Sequence, residues 1–556
     1  MTTFERSSVG TRAIVPAMSR MRSQASVRRA NREPWVWFVA LAALVLYVVV
    51  AAWLVYGLKY HIGDALARSA TADHMVASRD PHLGAMGFYW LPLPMLAQLP
   101  FTAVLVPFRQ AMFAGPLSTA LIGALTIPVM AAIGRVCGVS KRVRVVFLLG
   151  YAFNPVIVFT SANGMSEAMM FFFCAVSMLG YLRWARFRLK GDLLLLALGL
   201  AGFMATRYEA IWFVPLMAAA AALHEPRRRW ARTVGIVVAP AAYVLALWSF
   251  ASLIIEHDAF WWYKTNKAIG LTPAHLEWLP YPLTPISIVG FCAKWAVLLA
   301  PAVLFLIPKL MTVGKAHWQT AVGLAATVVA FPLSQASLLQ SRSSWGDPRY
   351  FYPTILFSSV LALWLVGIRL DAATSPAGGT QLTRSMAGGA ARSGSGPSGM
   401  LLACALAASA VVPVFALSDH LSAKVEAEWT FFERLIGRRP SAAQTDHNNA
   451  IDPFVEVFDR VDPDLAKGEH IVVDTTAHPQ ATLFTRHPRQ VIIPEDRDFE
   501  RIMDSPAGRF DWVLLPIGTG RFASLMSTAM SKPQTDGAWQ TVEETPYFVL
   551  WHFVRS

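Results

Sequence analysis

Three aspartates, Asp64, Asp73 and Asp80, lie between the first long apolar segment of the chain and the next one. A charge placed at the surface of a membrane is costly unless it is paired or used. A carboxylate that stays ionised near neutral pH takes the proton of an attacking hydroxyl when it lies within hydrogen-bond reach. This position makes Asp64 the first catalytic candidate and Asp80 its rival, whereas we expect Asp73 to be a solvated loop charge.

Asp64 and Asp80 each have a structural interpretation as well. Aspartate is a favoured capping residue, so Asp64 would suit a helix that begins at Ala65. Asp80 precedes Pro81, and an aspartate before a proline commonly starts a turn. Catalysis and local structure therefore stay open for both residues.

Three arginines, Arg207, Arg342 and Arg349, lie at the ends of apolar segments and are candidates for binding a phosphate. The planar guanidinium group suits phosphate because it donates two parallel hydrogen bonds. Two simpler roles remain open. Arg207 could form a structural pair with the neighbouring Glu209, and Arg349 could extend from a helix end towards lipid headgroups.

Other polar and aromatic residues complete the candidate substrate-binding set. Glu167 follows Asn163 at the start of an apolar segment, where the helix dipole alone favours a carboxylate. If functional, these two residues would orient a polar substrate or the catalytic loop, and His82 would do the same. Tyr208 and Glu209, which follow Arg207, and Tyr350, which follows Arg349, also belong to the set. His82 has no second ligand at a metal-binding spacing, so it makes a poor metal site.

The composition defines the class of protein. The chain has 556 residues, of which 55% are hydrophobic and 15% charged, and its mean hydropathy is +0.44. These values indicate a polytopic membrane protein. The net charge of +13 comes from short basic bursts between apolar runs, which argues against a nucleic-acid surface. Four scattered cysteines indicate neither a disulfide framework nor a zinc site.

Apolar segments of roughly 17 to 25 residues match the thickness of a bilayer, and they predict about eleven membrane helices. The predicted spans are 36–57, 112–134, 145–161, 168–183, 192–206, 208–223, 233–255, 286–308, 317–339, 351–369 and 400–418. Residues 88–107 are apolar enough to span but contain four prolines. We interpret them as interfacial helices, because a further span there would turn the basic residues 135–144 to the outer face.

Charge alternates between successive connections and so predicts the topology. Basic residues fill the predicted inner connections: Arg135, Lys141, Arg142, Arg144, Arg183, Arg186, Arg188, Lys190, Arg227, Arg228, Arg229, Arg232, Lys309 and Lys315. Acidic residues collect in the opposite connections: Asp64, Asp73, Asp80, Glu167, Glu256, Asp258, Glu277 and Asp347. The candidate site therefore belongs to the outer face of a plasma membrane, and the N-terminus is predicted to be cytoplasmic.

The domain organisation follows from changes in amino-acid composition along the chain. We predict a disordered basic cytoplasmic tail at 1–34, a membrane bundle at 35–369 with an outer loop at 58–111, a flexible cytoplasmic linker at 370–399, a last membrane helix at 400–418 and an extracytoplasmic α/β domain at 419–556. In the last domain, short strands are predicted near residues 470–474, 490–494 and 511–516, with a closing hairpin at 543–554. No glycine-rich phosphate loop provides a nucleotide site.

The chain resembles the GT-C superfamily of integral membrane glycosyltransferases over residues 36–369. The resemblance rests on segments in a characteristic order: Gly63–Arg68, Ser78–Leu83, Trp90–Pro94, Asn163–Ala168, Thr206–Ala210 and Asp347–Tyr350. It is similar to the branch that contains protein O-mannosyltransferases and aminoarabinose transferases. The chain departs from the family at one point, because Ala65 follows Asp64 where the family frequently has a second acid.

The resemblance implies transfer of a sugar from a polyprenyl-phosphate donor to a glycan, lipid or protein of the cell envelope, with inversion and without a nucleotide sugar. It also implies that a carboxylate of the first outer loop takes the acceptor proton. Asp64 is then the candidate general base, and Asp80 is its rival. A divalent cation, Mg²⁺ or Mn²⁺, is compatible with isolated aspartates but is not demanded by any cluster in the sequence.

Two other classes of protein remain open. A transporter or flippase of lipid-linked intermediates would carry ionisable residues deep inside its helices, and the sequence has almost none there. A non-catalytic scaffold would bind partners or wall polymer through its outer domain, and its loop carboxylates would be dispensable.

Overall fold

The computed structural model describes residues 33–60, 63–268, 283–342, 344, 346–374, 409–418, 429–439, 451–506, 508–517, 522–532 and 537–555. Most of the predicted basic tail, most of the predicted linker and the first part of the predicted last span lie outside the described residues. The predictions for those segments therefore stay predictions.

Helices make up the described part of the chain before residue 375. They are α1 Pro34–Ala52, α2 Gly63–Ala77, α3 Leu93–Leu96, α4 Leu99–Leu105, α5 Ala114–Val136, α6 Lys141–Ala152, α7 Pro155–Ala162, α8 Glu167–Phe187, α9 Lys190–Met204, α10 Ala210–Ala222, α11 Trp230–Glu256, α12 Trp261–Ala268, α13 Pro285–Leu299, α14 Val303–Met311, α15 Trp318–Gln340 and α16 Pro353–Thr374. The chain is a helical, multi-pass membrane protein, as its composition predicts.

Within the described residues, six helical segments are long and apolar enough to cross a membrane. They are Pro34–Gly57, Ala111–Val136, Glu167–Phe187, Arg227–Glu256, Lys315–Gln340 and Pro348–Ile368. Two bent pairs raise the number to eight if each is one span: α6 with α7, bent by 54°, and α13 with α14, bent by 99°. The predicted spans 192–206 and 208–223 correspond to the shorter helices α9 and α10. The count of about eleven spans therefore stays a prediction.

The segment 88–107 contains no single helix of spanning length. Prolines stand at the starts of its two short helices, because Pro92 caps α3 and Pro100 lies in the first turn of α4. Proline is tolerated in a first helical turn, whereas further inside a helix it removes a hydrogen bond and kinks or breaks the helix. The four prolines of this segment thus divide it into short pieces, whose depth in the membrane stays a prediction.

Helices α8 and α9 pack with their backbones in close approach. A Cβ atom built on Gly180 of α8 would lie 2.3 Å from the backbone nitrogen of Leu196 in α9. From the other side, a Cβ atom on Gly199 would lie 2.7 Å from the backbone nitrogen of Ser177. Small residues at both contacts allow this approach, as is usual between membrane helices.

One end of the bundle is held together by basic residues. Glu33 accepts hydrogen bonds from Arg135 at 3.0 Å and from both terminal nitrogens of Arg144 at 2.7 Å. These residues join the start of α1, the end of α5 and the start of α6. Asp192 at the start of α9 accepts a 2.6 Å bond from Arg183 near the end of α8. We call this the basic end of the bundle.

The last part of the chain contains a five-stranded sheet. Its described elements are α17 Val411–Ser418, α18 Trp429–Leu435, α19 Asp452–Leu465, β1 Ile471–Val473, β2 Val491–Ile492, α20 Phe499–Asp504, β3 Trp512–Pro516, α21 Ala523–Ser531, β4 Gly537–Glu544 and β5 Phe548–Arg555. The strand order is β2-β1-β3-β5-β4, with β1 parallel to both neighbours and β5 antiparallel to both of its own. The small C-terminal α/β domain is confirmed, including its closing hairpin.

The glycine contact between α8 and α9 has a measurable consequence. Gly180→Ala should destabilise the protein by about 1–3 kcal/mol, because the added methyl group meets the backbone of α9 and forces the helices apart. Thermal unfolding of the detergent-solubilised protein measures the effect. Gly191→Ala is the matched control, since a Cβ atom there meets nothing within 4 Å. Equal melting temperatures for the two variants would contradict the close packing.

Candidate active site

Six charged side chains from four segments meet at the opposite end of α8 from the basic end. They are Asp64 and Arg68 of α2, Glu167 at the start of α8, Arg207 and Glu209 in the turn between α9 and α10, and Arg349 in the 3₁₀ turn before α16. We call them the charged cluster. It contains three carboxylates and three guanidinium groups, so its net charge is zero when all are ionised.

Arg207 is held between two carboxylates. Its Nη1 atom lies 2.6 Å from Oε1 of Glu167 and 3.2 Å from the hydroxyl of Ser166. Its Nη2 atom lies 2.7 Å from Oε1 of Glu209. Burial lowers the pKa of Arg207, but the two carboxylates outweigh burial and raise it above its ordinary value. Glu167, Arg207 and Glu209 therefore form a closed group with net charge −1.

Asp64 faces two arginines at longer range. Its Oδ2 atom lies 3.5 Å from Nη2 of Arg349 and 3.8 Å from Nη2 of Arg68. The Asp64 side chain is 37% exposed, whereas those of Arg349 and Arg68 are 5% and 6% exposed. Within the described residues, the Nε atom of Arg68 has no hydrogen-bond partner. Asp64, Arg68 and Arg349 form an open group with net charge +1.

The open group keeps Asp64 ionised. Burial raises the pKa of this carboxyl, but the charges of Arg349, Arg68 and Arg207 outweigh burial and lower it below its ordinary value. Asp64 lies in the first turn of α2, which already includes Gly63, so it does not cap a helix beginning at Ala65. Its carboxylate meets the protonation requirement for a base, although a lowered pKa weakens a base.

Aromatic rings lie under the three guanidinium groups. Arg68 lies over the ring of Trp90 at 5.1 Å from its centroid. Arg207 and Arg349 both lie over the ring of Tyr350, at 5.7 and 5.4 Å. A ring face attracts a cation, so Tyr350 holds together two arginines that repel each other. Tyr350 thus lies against the charged cluster, and its role in substrate binding stays a prediction.

Sequence reasoning did not single out Arg68. A usable signal was present, because Arg68 follows Asp64 by four residues in a helical segment, and residues at that spacing lie on one helix face. Trp90 is marked in the sequence only as part of the segment Trp90–Pro94 that carries the family resemblance. Its contact with Arg68 depends on the path of the loop between α2 and α3.

Asn163 belongs to the turn that delivers Glu167. Its side-chain oxygen accepts a 2.9 Å hydrogen bond from the backbone of Met165. Gly164 has φ +78°, and a Cβ atom there would lie 3.0 Å from Pro116 and 3.4 Å from Ala65. The turn therefore requires glycine and places Glu167 at the start of α8. Asn163 makes no described contact with the charged cluster.

The described contacts of four other residues from the predicted site lie outside the charged cluster. Asp80 accepts a 2.8 Å hydrogen bond from Nε of Arg497, and His82 bonds the Asp80 carbonyl at 2.7 Å. Arg342 lies in an exposed turn after α15, in the left-handed region at φ 55°. Tyr208 stacks on Trp262 with ring centroids 5.4 Å apart. The roles assigned to these residues stay predictions, and the described side-chain contacts of Asp80, His82 and Tyr208 give those three residues structural partners.

The expectation for Asp73 is wrong. It is a residue of α2 with 5% of its surface exposed, not a solvated loop charge. Helix α2 is covered by the C-terminal domain through the 3₁₀ segment Pro479–Phe484. Burial raises the pKa of Asp73 to about 7. The error arose because the sequence does not say which distant segment covers a loop helix.

Comparison with known proteins identifies the fold. The sequence model of the dolichyl-phosphate-mannose-protein mannosyltransferase family matches residues 98–207. The crystal structure of ArnT from Cupriavidus metallidurans bound to undecaprenyl phosphate is similar, with a TM-score of 0.52 and 14% identity over 94% of this chain and 98% of that one. The chain has the GT-C fold. The apo ArnT structure matches at a TM-score of 0.51 and 15% identity, over 93% of this chain and 97% of that one. No curated protein sequence matches the chain.

In this GT-C fold the C-terminal domain docks onto the first loop. Arg79 donates to Asp496 at 2.9 and 3.1 Å and also bonds Asp498. His74 of α2 bonds Thr482 at 2.7 Å. The contacting residues of the domain follow β1 and β2, at the carboxyl ends of parallel strands, where α/β sheets usually bind ligands. Helix α2 thus carries Asp64 near one end and meets the domain further along.

Metal binding is not supported by a ready ligand set. Among the residues that the structure describes, no three His, Cys, Asp or Glu side chains converge in a group that could hold an ion. The carboxylates of the charged cluster each face arginines. A divalent cation in this protein stays a prediction.

The docking contact can be tested with two arginines that share a partner. Arg79→Gln should lower the free energy of unfolding of the docked domain by about 3–5 kcal/mol, because it leaves the buried carboxylate of Asp496 without its charge partner. Limited proteolysis and thermal unfolding measure the loss. Arg501→Gln is the control, since Arg501 is exposed and lies 3.5 Å from Asp498. A surface pair contributes about 0–1 kcal/mol. Equal resistance of both variants would argue against docking through Arg79.

Proposed function

We propose that this chain is a membrane glycosyltransferase that moves a sugar from a polyprenyl-phosphate donor to an acceptor in the cell envelope. The observation that carries the proposal is the open group, where one exposed carboxylate lies beside two buried arginines. The GT-C fold and the mannosyltransferase family match over residues 98–207 support it. The similar ArnT structure contains undecaprenyl phosphate, which supports a lipid phosphate as the carrier.

The open group suits a phosphodiester donor by charge. Such a donor carries one negative charge, and the open group carries one positive charge. Arg349 and Arg68 would bind the phosphate oxygens, since guanidinium groups form strong charge-assisted hydrogen bonds with phosphate. The unpartnered Nε atom of Arg68 supplies an available donor. Arg207 is already bonded to two carboxylates, so its part is to hold the closed group in place.

Transfer then proceeds as a single displacement. The oxygen of the acceptor hydroxyl forms a bond to the anomeric carbon, while the bond from that carbon to the phosphate oxygen breaks and its electron pair stays on the phosphate. The hydroxyl proton passes to Asp64 and from there to the departing phosphate or to water. Attack from the face opposite the leaving group inverts the anomeric centre. Arg349 and Arg68 stabilise the growing charge on the phosphate.

The topology proposed for the reaction places it on the outer face of a plasma membrane. The basic end of the bundle, with Arg135, Arg144 and Arg183, suits the cytoplasmic side by the positive-inside rule. The charged cluster lies at the other end of α8, which begins at Glu167. The C-terminal domain would then be extracytoplasmic and could guide a polymer or lipid acceptor towards Asp64.

The proposal is tested by transfer of radiolabelled sugar from a panel of polyprenyl-phosphate donors to a membrane acceptor fraction. Asp64→Asn should lower transfer by about 10²–10⁴-fold, because the amide keeps the size of the carboxylate but does not take a proton. Asp80→Asn tests the rival base. The carboxylate of Asp80 is bonded to Arg497 of the C-terminal domain and has no described contact with the charged cluster, so this change should leave most activity.

Asp459→Asn is the matched control, because Asp459 is an exposed carboxylate of α19 remote from the charged cluster in its contacts. No transfer by the wild-type protein with any donor would point to a transporter or a scaffold. Full activity of Asp64→Asn would remove Asp64 from the reaction, and loss with Asp80→Asn alone would name Asp80 as the base.

A further inference from the structure

The contacts of Asp64 present a chemical difficulty for a base. Its Oδ2 atom faces Arg349 and Arg68 at 3.5 and 3.8 Å, so both positive charges favour the ionised form and oppose the uptake of a proton. These distances exceed those of hydrogen bonds, so the contacts are loose ion pairs. The same two guanidinium groups are the ones that the open group offers to a donor phosphate.

A bound phosphate changes this balance in two ways. Its oxygens share the guanidinium charges that otherwise act on Asp64, and its own negative charge is placed close to the carboxylate. Both effects increase the affinity of the carboxylate for a proton. The open group changes from net charge +1 to zero when a monoanionic phosphodiester enters.

The neighbouring charges do not cancel this effect. Arg207 acts on Asp64 from the turn between α9 and α10, but its guanidinium group is already bonded to Glu167 and Glu209. From α2 itself only Arg68 pairs with Asp64. From the turn before α16, Arg349 pairs with it. Within the described residues, the two arginines of the open group are therefore the charges that the donor would redirect.

We propose that Arg349 and Arg68 make Asp64 a donor-gated base, which they hold as an ion pair in the empty site and release to accept a proton when they bind the donor phosphate. This inference rests on the proposed transferase function. It assigns the two arginines a positioning role for the base in addition to the phosphate contact. In the step itself, the acceptor proton moves to Asp64 as the new glycosidic bond forms and the phosphate leaves with the electron pair.

The gating is measured by the pH dependence of transfer at saturating acceptor. The acidic limb of the pH profile of kcat/KM for the donor reports the pKa of the base in the free enzyme. The acidic limb of the kcat profile reports the pKa of the same base in the donor complex. Because the donor raises the proton affinity of Asp64, we expect the kcat limb to lie about one pH unit or more above the kcat/KM limb. Between the two limbs, the KM for the donor should fall as the pH falls, since the protonated enzyme binds the donor more tightly.

Arg349→Gln should move the kcat/KM limb upwards, towards the kcat limb, because the free enzyme loses one of the two ion pairs. Arg349→Lys retains the charge and should keep the limbs apart. Arg68→Gln should shift the kcat/KM limb in the same direction. This variant replaces Arg349→Gln as the test if the Arg349 variant does not fold. A purely structural role for Arg349 would lower activity without moving either limb, and that outcome would overturn the proposal.

Arg183→Gln is the matched control. Arg183 also pairs with a carboxylate, Asp192, but it lies sixteen residues along α8 from Glu167, at about 24 Å. Both limbs should stay in place in this variant. Coincident limbs in the wild-type enzyme would overturn the gating and leave the transferase intact, whereas absence of transfer with any donor would be a failure of the proposed function itself.

Discussion

The burial of Arg207 between Glu167 and Glu209 is the interaction on which the rest of the site depends. A guanidinium group removed from water is strongly unfavourable unless opposite charges meet it at short range. Here the two carboxylates come from the start of α8 and from the turn between α9 and α10. Tyr350 brings the segment before α16 to the same guanidinium. One paired charge therefore fixes three segments against one another at the same end of the bundle.

The closed group satisfies Arg207 internally, and the open group is the part of the charged cluster that is proposed to react. Because Arg207 is satisfied internally, Asp64 faces the remaining cations, Arg349 and Arg68, at longer distances. The exposed carboxylate and the two buried arginines suit a proton acceptor and an anion site placed side by side. The charged cluster has zero net charge but consists of two unlike halves. The closed group, with net charge −1, stabilises the structure, and the open group, with net charge +1, suits a phosphodiester.

Helix α2 connects this chemistry to the C-terminal domain. Asp64 and Arg68 lie in its first turns, and His74 contacts Thr482 of the domain further along. Arg79 follows α2 and bonds Asp496 and Asp498. The domain therefore packs against the helix that carries the candidate base.

The sequence by itself determined the class of this protein and the segments that form its site. Hydropathy and charge alternation indicated a polytopic membrane protein with a C-terminal α/β domain, and the order of short motifs indicated the GT-C fold, because these properties are local along the chain. Asp64, Glu167, Arg207, Glu209, Arg349 and Tyr350 were singled out by type and position.

Only the tertiary structure decided which of these residues meet. It separated Asp80, His82, Arg342 and Tyr208 from the charged cluster in its described contacts, and it added Arg68 and Trp90. It also buried Asp73 beneath a domain that begins more than 300 residues later in the chain. Pairing across such distances depends on how helices pack and how loops return, and a single sequence carries no direct record of either.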